Sequence, residues 1–494
     1  MKTTLKTTIY SLLIAGMAGA MLSSCNDFVD VVPKGKAIPQ TVDDFGKMMN
    51  NSFLSINGDQ YYFADVCYDV MFAQFYSDDY TASDNPADQY YYMFAQTPSY
   101  RNMITWADEV YGSAENDDAW NGLYKSNYVV NYIIQNIDNA EEGYAYNRDE
   151  VKGRALVHRA LNYFLLTAMY GKAYNAQSAS TDLAVPLILE PDINLTPARA
   201  TVADCFKQIL ADLDLAISIM KEDYPEFNHI PGRAAAYATR ARVNHYMQNY
   251  DAALADAQKS LAMHGDLLDY NTWATFPDLM IAMMGSYNPI YLAYASMFGM
   301  EPYPGANDRI TNKEITLVRP NQQQISLTCA SDKLLEITDM TNDLRAKLFF
   351  CTDYSQRPMN MVRVNQSGIN VSEMYLTVAE AALRKSSPDL ETASAALETV
   401  RKNRYLAQTY AKFEYSSRED LLAEVMKERR REITHCVMSF VDKKRWNCCT
   451  AEAETMTRTV YDQTFTMKPG DPRYALQIPA NVRQMNPNLV PNER

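Results

Sequence analysis

The chain has 494 residues, with 46 Lys and Arg set against 60 Asp and Glu, a formal charge of −14. Binding a phosphate polymer requires a basic face, so this balance sets nucleic acid aside and argues against broad docking on anionic lipid. An apolar content of 47% is that of a globular protein with a substantial core.

The first element is a leader. Lys2 and Lys6 precede an apolar run from Ile9 to Leu22, which closes in Leu22-Ser23-Ser24-Cys25. A run of about 14 residues is too short to span a bilayer comfortably and fits the core of a secretory signal. Small residues ending in Cys are what bacterial lipoprotein processing uses. Residues 1–24 are therefore expected to be a signal peptide and Cys25 the lipidated first residue of the mature chain. One acyl chain holds a protein only marginally, whereas two make a stable anchor. Without Lys2 and Lys6 the charge becomes −16, and no later apolar run approaches a membrane span. The expectation is a water-soluble body moored by lipid. With Cys25 acylated, Cys67, Cys205, Cys329, Cys351, Cys436, Cys448 and Cys449 remain, an odd number that cannot all pair internally. Most are expected to be buried thiols.

Residues 26–40, interrupted by Pro33 and Gly35, read as a tether, and Asp43 to Met49 as a short helix. Residues 57–115 mix many tyrosines with Asp and Asn and lack sustained periodicity, which predicts packed loop. Helical pattern begins near Asp118. Val151, Ala155, Leu161, Leu165 and Ala168 mark a deeply buried helix over 149–170, and Phe206, Leu210, Leu213, Ile217 and Met220 another over 202–220. Residues 232–261 read as helix, turn, helix: Ala234, Ala235, Ala236, Ala238 and Ala241 line the first, Asn249-Tyr250-Asp251 turns, and Ala252, Ala253, Ala255 and Ala257 line the second. Alanine favours helix and lets helices approach closely, and the turn is close to that of a tetratricopeptide repeat. Five prolines in 265–330 forbid long helices there. A second hairpin follows at 372–404, broken by Ser386-Ser387-Pro388. The last 30 residues, rich in proline, are expected to pack as extended chain.

These segments, taken in order, resemble the SusD/RagB-like lipoproteins of Bacteroidetes along nearly the whole chain. Cys25-Asn26-Asp27-Phe28 followed by Pro33 is similar to the family's mature start, and Val42-Asp43-Asp44-Phe45 to its first helix. Trp120, Tyr124 and Asn131 sit as in its Trp…Tyr…Asn helix. Arg154 to Tyr170 with Val185-Pro186-Leu187, Arg199-Ala200-Thr201, Ser331-Asp332-Lys333-Leu334, Asn342-Asp343-Leu344-Arg345, Ser372 to Ala381, Glu428 to Glu432, Lys444-Arg445-Trp446, Gln477-Ile478-Pro479 and Asn486-Pro487-Asn488-Leu489 follow in sequence. One departure is the stretch Ile433 to Val441, where the family usually carries Glu-Gly. The resemblance implies a mostly α fold: a tetratricopeptide-like helical-hairpin scaffold, mainly 117–264 and 372–446, with a large irregular loop-rich part, 57–115 and 265–330, and few short strands. It implies one domain over 25–494, a surface-exposed lipoprotein anchored on the outer membrane that captures a nutrient. The implied partner is a TonB-dependent, SusC-like transporter, contacted through the repeat face, and the implied cargo is usually a glycan.

The residues themselves offer no GxSxG elbow, HExxH, GxxxxGK[ST] or CxxC pattern, so no catalytic, metal or cofactor site is expected. Asp78-Asp79 is the tempting acid pair, yet adjacent loop carboxylates seldom face each other across a glycosidic bond. Glu428 to Glu432 reads as a structural salt-bridge network. A sugar presents a C–H face and a hydroxyl rim, which a tyrosine ring and a neighbouring carboxylate or amide suit together. The candidate ligand contacts are Asp78, Asp79, Tyr80 and Tyr90 to Tyr92 (Tyr90 and Tyr91 foremost), with Trp273, Tyr287 and Tyr303. Tyr124, Tyr128, Tyr163 and Tyr375 are assigned to packing, Trp106 and Trp120 to structure. The alternatives are the same importer role with peptide cargo, or a non-catalytic assembly scaffold.

Overall fold

The structure is a computed structural model describing residues 38–49, 52–54, 60–62, 75–82, 98–113, 115–226, 228–273, 314–317, 329–352, 358–360, 368–433, 436–460 and 462–494. Cys25, Cys67, Tyr90 to Tyr92, Tyr287, Tyr303 and His435 lie outside them.

In chain order, α1 (Val42–Met49) buries Val42, Phe45 and Met49. Strands β1 (Ser52–Leu54) and β2 (Gln60–Tyr62) pair antiparallel, with Phe53 opposite Tyr61. β3 (Tyr80–Thr81) and α2 (Pro98–Ile104) come next. The long helices then begin: α3 (Asp118–Asn136), α4 (Arg148–Tyr170), α5 (Val202–Ile219), α6 (Arg233–Tyr246) and α7 (Tyr250–Met263). Their starts are set by side chains that accept otherwise unpartnered helical N–H groups: Asp117 takes Trp120 N, Asn147 takes Asp149 N and Glu150 N, and Thr201 takes Asp204 N.

After α7 come β4 (Ile315–Leu317), β5 (Cys329–Ala330), α8 (Asp332–Glu336), α9 (Leu344–Phe349), β6 (Phe350–Thr352), β7 (Pro358–Asn360) and β8 (Ile369–Asn370). The scaffold resumes with α10 (Val371–Arg384), α11 (Leu390–Arg401), α12 (Arg418–Glu432) and α13 (Val437–Cys449). A hairpin of β9 (Met456–Val460) and β10 (Gln463–Met467) and the short α14 (Ala480–Met485) complete the chain. β3, β5, β7 and β6 form a small sheet in that order, and β4 pairs antiparallel with β8.

The helices stack in sequence: α3 on α4, α4 on α5, α5 on α6, α6 on α7, α7 on α10, and α10 on α11 and α12. The alanines explain the closeness of the middle layers. Ala234, Ala235, Ala236, Ala238 and Ala241 are all buried, as are Ala253 and Ala257. Ala252 and Ala255, expected to line the same seam, face outward instead, because the helical period carries them to the opposite side of α7. The turn between α6 and α7 places Gln248 in the left-handed region (φ 64°), followed by the N-cap position Asn249. α4 is buried over nearly its whole circumference, with Phe164, Leu165 and Leu166 all enclosed, as its apolar residues on several faces predict. Gly153 admits this: a Cβ there would lie 2.2 Å from Cγ of Met220.

Two further expectations need correction. Tyr128, whose helical spacing suggested packing, is 43% exposed on α3. The last 30 residues are not wholly extended: Pro472–Tyr474 forms a 3-10 turn and α14 follows. Proline at the first turn of a helix forfeits no bond, so it tolerates both. Among the described residues no helix is long and apolar enough to cross a membrane.

Candidate functional site

Above the helix stack, the segment 75–82 meets α8, α12, α13 and β9, and three of the expected ligand contacts fall here. Asp78 and Asp79 are each 1% exposed and Tyr80 is fully enclosed. The carboxylate of Asp78 lies 2.7 Å from Nζ of Lys333 and 2.9 Å from Nζ of Lys443. Asp79 accepts from both Nε (2.9 Å) and a terminal nitrogen (2.5 Å) of Arg430. Burial alone would raise the Asp78 carboxyl, but Lys443, Lys333 and Arg430 outweigh it and hold the group well below the usual carboxylate range. A carboxyl held ionised in this way cannot donate a proton near neutrality, so Asp78 is not placed as a general acid. These residues tie the loop to the helices from within and present no carboxylate to solvent.

Arg458 completes the tie. It projects from β9, where Met456, Arg458 and Val460 point inward at alternate positions. Its guanidinium donates to the carbonyls of Tyr80 (2.6 Å), Ser77 and Ile104, and stacks 4.6 Å from the centre of the Trp106 ring. Trp106 in turn donates Nε1–H to the Tyr76 carbonyl at 2.9 Å, and its backbone is held at φ 52°, a region a tryptophan adopts only when its surroundings impose it. The structural role expected of Trp106 is therefore met, as is that of Trp120, 4% exposed and edge-on to Tyr170.

Two more buried hubs join the helices. Glu428 receives Arg345 (2.6 Å), Arg431 (2.6 Å) and Arg401 (3.2 Å), while Glu432 receives Arg345 (2.7 Å) and Arg404 (3.0 Å). Burial would raise Glu428, yet those arginines bring it down to about 2. Glu380 takes Arg445 through both oxygens at 2.9 Å, Arg384 at 2.8 Å and His245 at 3.1 Å. Burial, with Arg445 beside it, pulls His245 down to about 4, so that imidazole is neutral at physiological pH. The Glu428 to Glu432 motif thus behaves as the salt-bridge network its spacing suggested.

Of the remaining expected contacts, Trp273 ends the 3-10 turn Tyr270–Trp273. That turn is docked on the end of α11: Tyr270 N donates to the Asn403 carbonyl (3.0 Å) and Asn271 exchanges bonds with Tyr405 and Ala407. The Arg404 guanidinium lies 4.0 Å from the Tyr270 ring centre. Among the described residues no group of His, Cys, Asp or Glu has metal-binding geometry. Cys205, Cys436, Cys448 and Cys449 are free thiols, with burial raising each of them. Sequence reasoning missed Lys443, which pairs with Asp78, and Arg458, which fixes the loop through its carbonyls, because nothing in local spacing marks partners this distant.

Comparison with known proteins adds the following. A family model described as starch-binding and associating with the outer membrane matches residues 37–245, and one described as the SusD family matches residues 346–494. Among solved structures, a SusD superfamily protein from Bacteroides thetaiotaomicron is 21% identical, covering 88% of this chain and 95% of its own, with a TM-score of 0.65. A SusD superfamily protein from Bacteroides vulgatus is 16% identical, with coverages of 92% and 99% and a TM-score of 0.68. A SusD-like carbohydrate binding protein from the same species is 18% identical, with coverages of 90% and 94% and a TM-score of 0.57. At these identities the likeness carries the fold alone. No curated protein matches the sequence.

Proposed function

Because this chain belongs to the SusD/RagB-like family, we propose that it is a non-catalytic glycan receptor, acylated at Cys25, on the outer membrane. It captures a poly- or oligosaccharide and passes it to a TonB-dependent, SusC-like transporter. The observation that carries this reading is the pair of family matches, over 37–245 and 346–494, on one continuous helix stack. In this reading Asp78, Asp79 and Tyr80 serve the ligand from beneath, by fixing the loop that bears them. The rings proposed to meet the sugar are Tyr90, Tyr91, Trp273, Tyr287 and Tyr303, where stacking on the C–H face supplies affinity and neighbouring polar groups supply orientation.

The test is a broad glycan array, probed with protein lacking residues 1–25, beside a peptide panel. Binding to a defined set of glycans supports the proposal. Binding to peptides alone changes the cargo while keeping the importer role. Retention of neither, with a barrel partner still co-purifying, leaves an assembly scaffold and removes the receptor. Release of new reducing ends from a bound glycan would replace binding with hydrolysis.

A further inference from the structure

α11 ends at Arg401, and Arg404 lies in the turn that follows, fully enclosed. One face of its guanidinium lies against Tyr270, 4.0 Å from the ring centre. In the plane of the group, one terminal nitrogen donates to the Leu268 carbonyl at 2.8 Å. The other donates to the carboxylates of Glu314 and Glu432, the latter at 3.0 Å, and Nε donates to Glu432 at 3.1 Å. Glu314 answers with its second oxygen, accepting Leu268 N at 3.1 Å. Leu268 and Tyr270 belong to the chain leaving α7, Glu314 to the chain returning before β4, and Glu432 closes α12. One side chain thus joins the outgoing strip, the returning strip and the scaffold.

The backbone nearby completes the seat. Tyr270 N donates to the Asn403 carbonyl at 3.0 Å, Asn271 Nδ2 to the Tyr405 carbonyl at 3.1 Å, and Ala407 N to Asn271 Oδ1 at 2.9 Å. Leu268, Tyr270 and Asn271 are therefore each anchored just before the chain reaches Trp273. α12 carries the second tie: Arg430, two positions before Glu432, holds Asp79 in the loop at 75–82. The last turn of α12 therefore fixes both ligand-side segments within one frame. A guanidinium suits this task because its donors are set in fixed directions around a flat face. An ammonium is a point charge, able to answer the two glutamates but not to hold a carbonyl and a ring at set angles as well.

We propose that Arg404 is a positioning residue of the receptor: it fixes where Trp273 is presented relative to the loop at 75–82, so glycan affinity depends on its guanidinium and not on its charge alone. The inference rests on the glycan-receptor reading, and the experiment separates the two. The mature parent protein, Arg404→Lys and Tyr270→Leu are titrated on the same glycan array, and amide exchange is followed over residues 268–273. Arg199→Met, which loosens the chain at the carboxyl end, is the comparison for general destabilisation, with urea midpoints measured for all four. The expected result is a loss of roughly tenfold in affinity for the parent's glycans in both turn variants, with faster exchange at 268–273. Arg199→Met should keep the parent's affinity. Should Arg404→Lys fail to fold, Tyr270→Leu carries the test, since it leaves the ion pairs of Arg404 in place. Parent-like affinity in the turn variants overturns the inference and leaves the receptor standing, whether or not exchange has quickened. An equal loss in Arg199→Met makes the effect one of stability and overturns positioning. A parent that binds no glycan removes the receptor reading and the inference with it.

Discussion

Lys444 offers a prediction with an opposite sign from most buried cations. It is fully buried on α13, and its ammonium donates to the carbonyls of Ala168 (2.7 Å) and Gly171 (2.6 Å) at the end of α4. Burial pulls it down from an ordinary 10.5 to about 7. At about 1.4 kcal/mol per pKa unit, the ionised form costs the folded chain on the order of 5 kcal/mol. The folded-state pKa is the lower one, so the unfolded chain binds more protons between pH 7 and 10.5. Stability from this group therefore rises with pH across that window and is flat below it. Lys444→Met removes the titration but leaves two carbonyls without a donor, at about 1–3 kcal/mol each. Near pH 6 the two effects offset, and the variant should lie within about 2 kcal/mol of the parent. At pH 10 the parent lysine is neutral and still bonded, and the variant should be less stable by roughly 2–6 kcal/mol. Cys448 and Cys449 neighbour the amine, but burial raises Cys448 to about 11, so its thiol stays protonated throughout most of the window. Urea titrations of both proteins at a series of pH values measure the difference. Parallel stability curves from pH 6 to pH 10 would refute the reasoning.

Arg458→Met should free the Tyr80, Ser77 and Ile104 carbonyls and cost about 3–5 kcal/mol in urea unfolding, with new protease cleavage confined to residues 75–106. Glu428→Gln leaves three arginines facing a neutral amide and should cost a similar ~3–5 kcal/mol. In the parent, the depressed Glu428 contributes stability that is present above the ordinary glutamate range and lost as pH falls from 4.5 toward 2, so the variant's acid-unfolding profile should be flatter across that interval. Arg199 donates to the carbonyls of Ala184 (2.7 Å) and Val490 (2.9 Å) and to Asn492 (2.7 Å). Arg199→Met should expose the carboxyl end to carboxypeptidase digestion, read by intact mass.

The helices were legible because their signals are local. The apolar spacing of α4 and α5, the alanines of α6, and the caps at Asp117, Asn147 and Thr201 all lie within a few residues of what they control. Tyr128 shows the limit of spacing: a tyrosine at a helical interval marks a face without saying what covers it. The acid pair Asp78-Asp79 shows a deeper limit. A loop carboxylate looks available until its partners are known, and here they come from Lys333, Arg430 and Lys443, hundreds of residues away in sequence. Arg458 likewise carries no local mark, since a charged residue between threonines on a hairpin strand ordinarily faces water. The tyrosines proposed to meet the sugar carry no periodicity, because a binding surface would be chosen by its cargo and not by the pitch of a helix.

The contact between α7 and α10 has a consequence of its own. α7 ends at Met263 and α10 begins at Val371, yet the two lie side by side, with Tyr375 bonded to the Gly265 carbonyl at 3.1 Å. Glu314 clasps both ends, accepting Leu268 N at 3.1 Å and offering its carbonyl to Val371 N at 2.9 Å. The chain thus departs from the framework after α7 and returns to it at α10 at neighbouring points. A change of length between 274 and 313 leaves α7 and α10 in register, so long as Arg345 keeps Glu428 and Glu432, Arg404 keeps Glu314 and Lys333 keeps Asp78, the bonds that tie the returning chain to the scaffold.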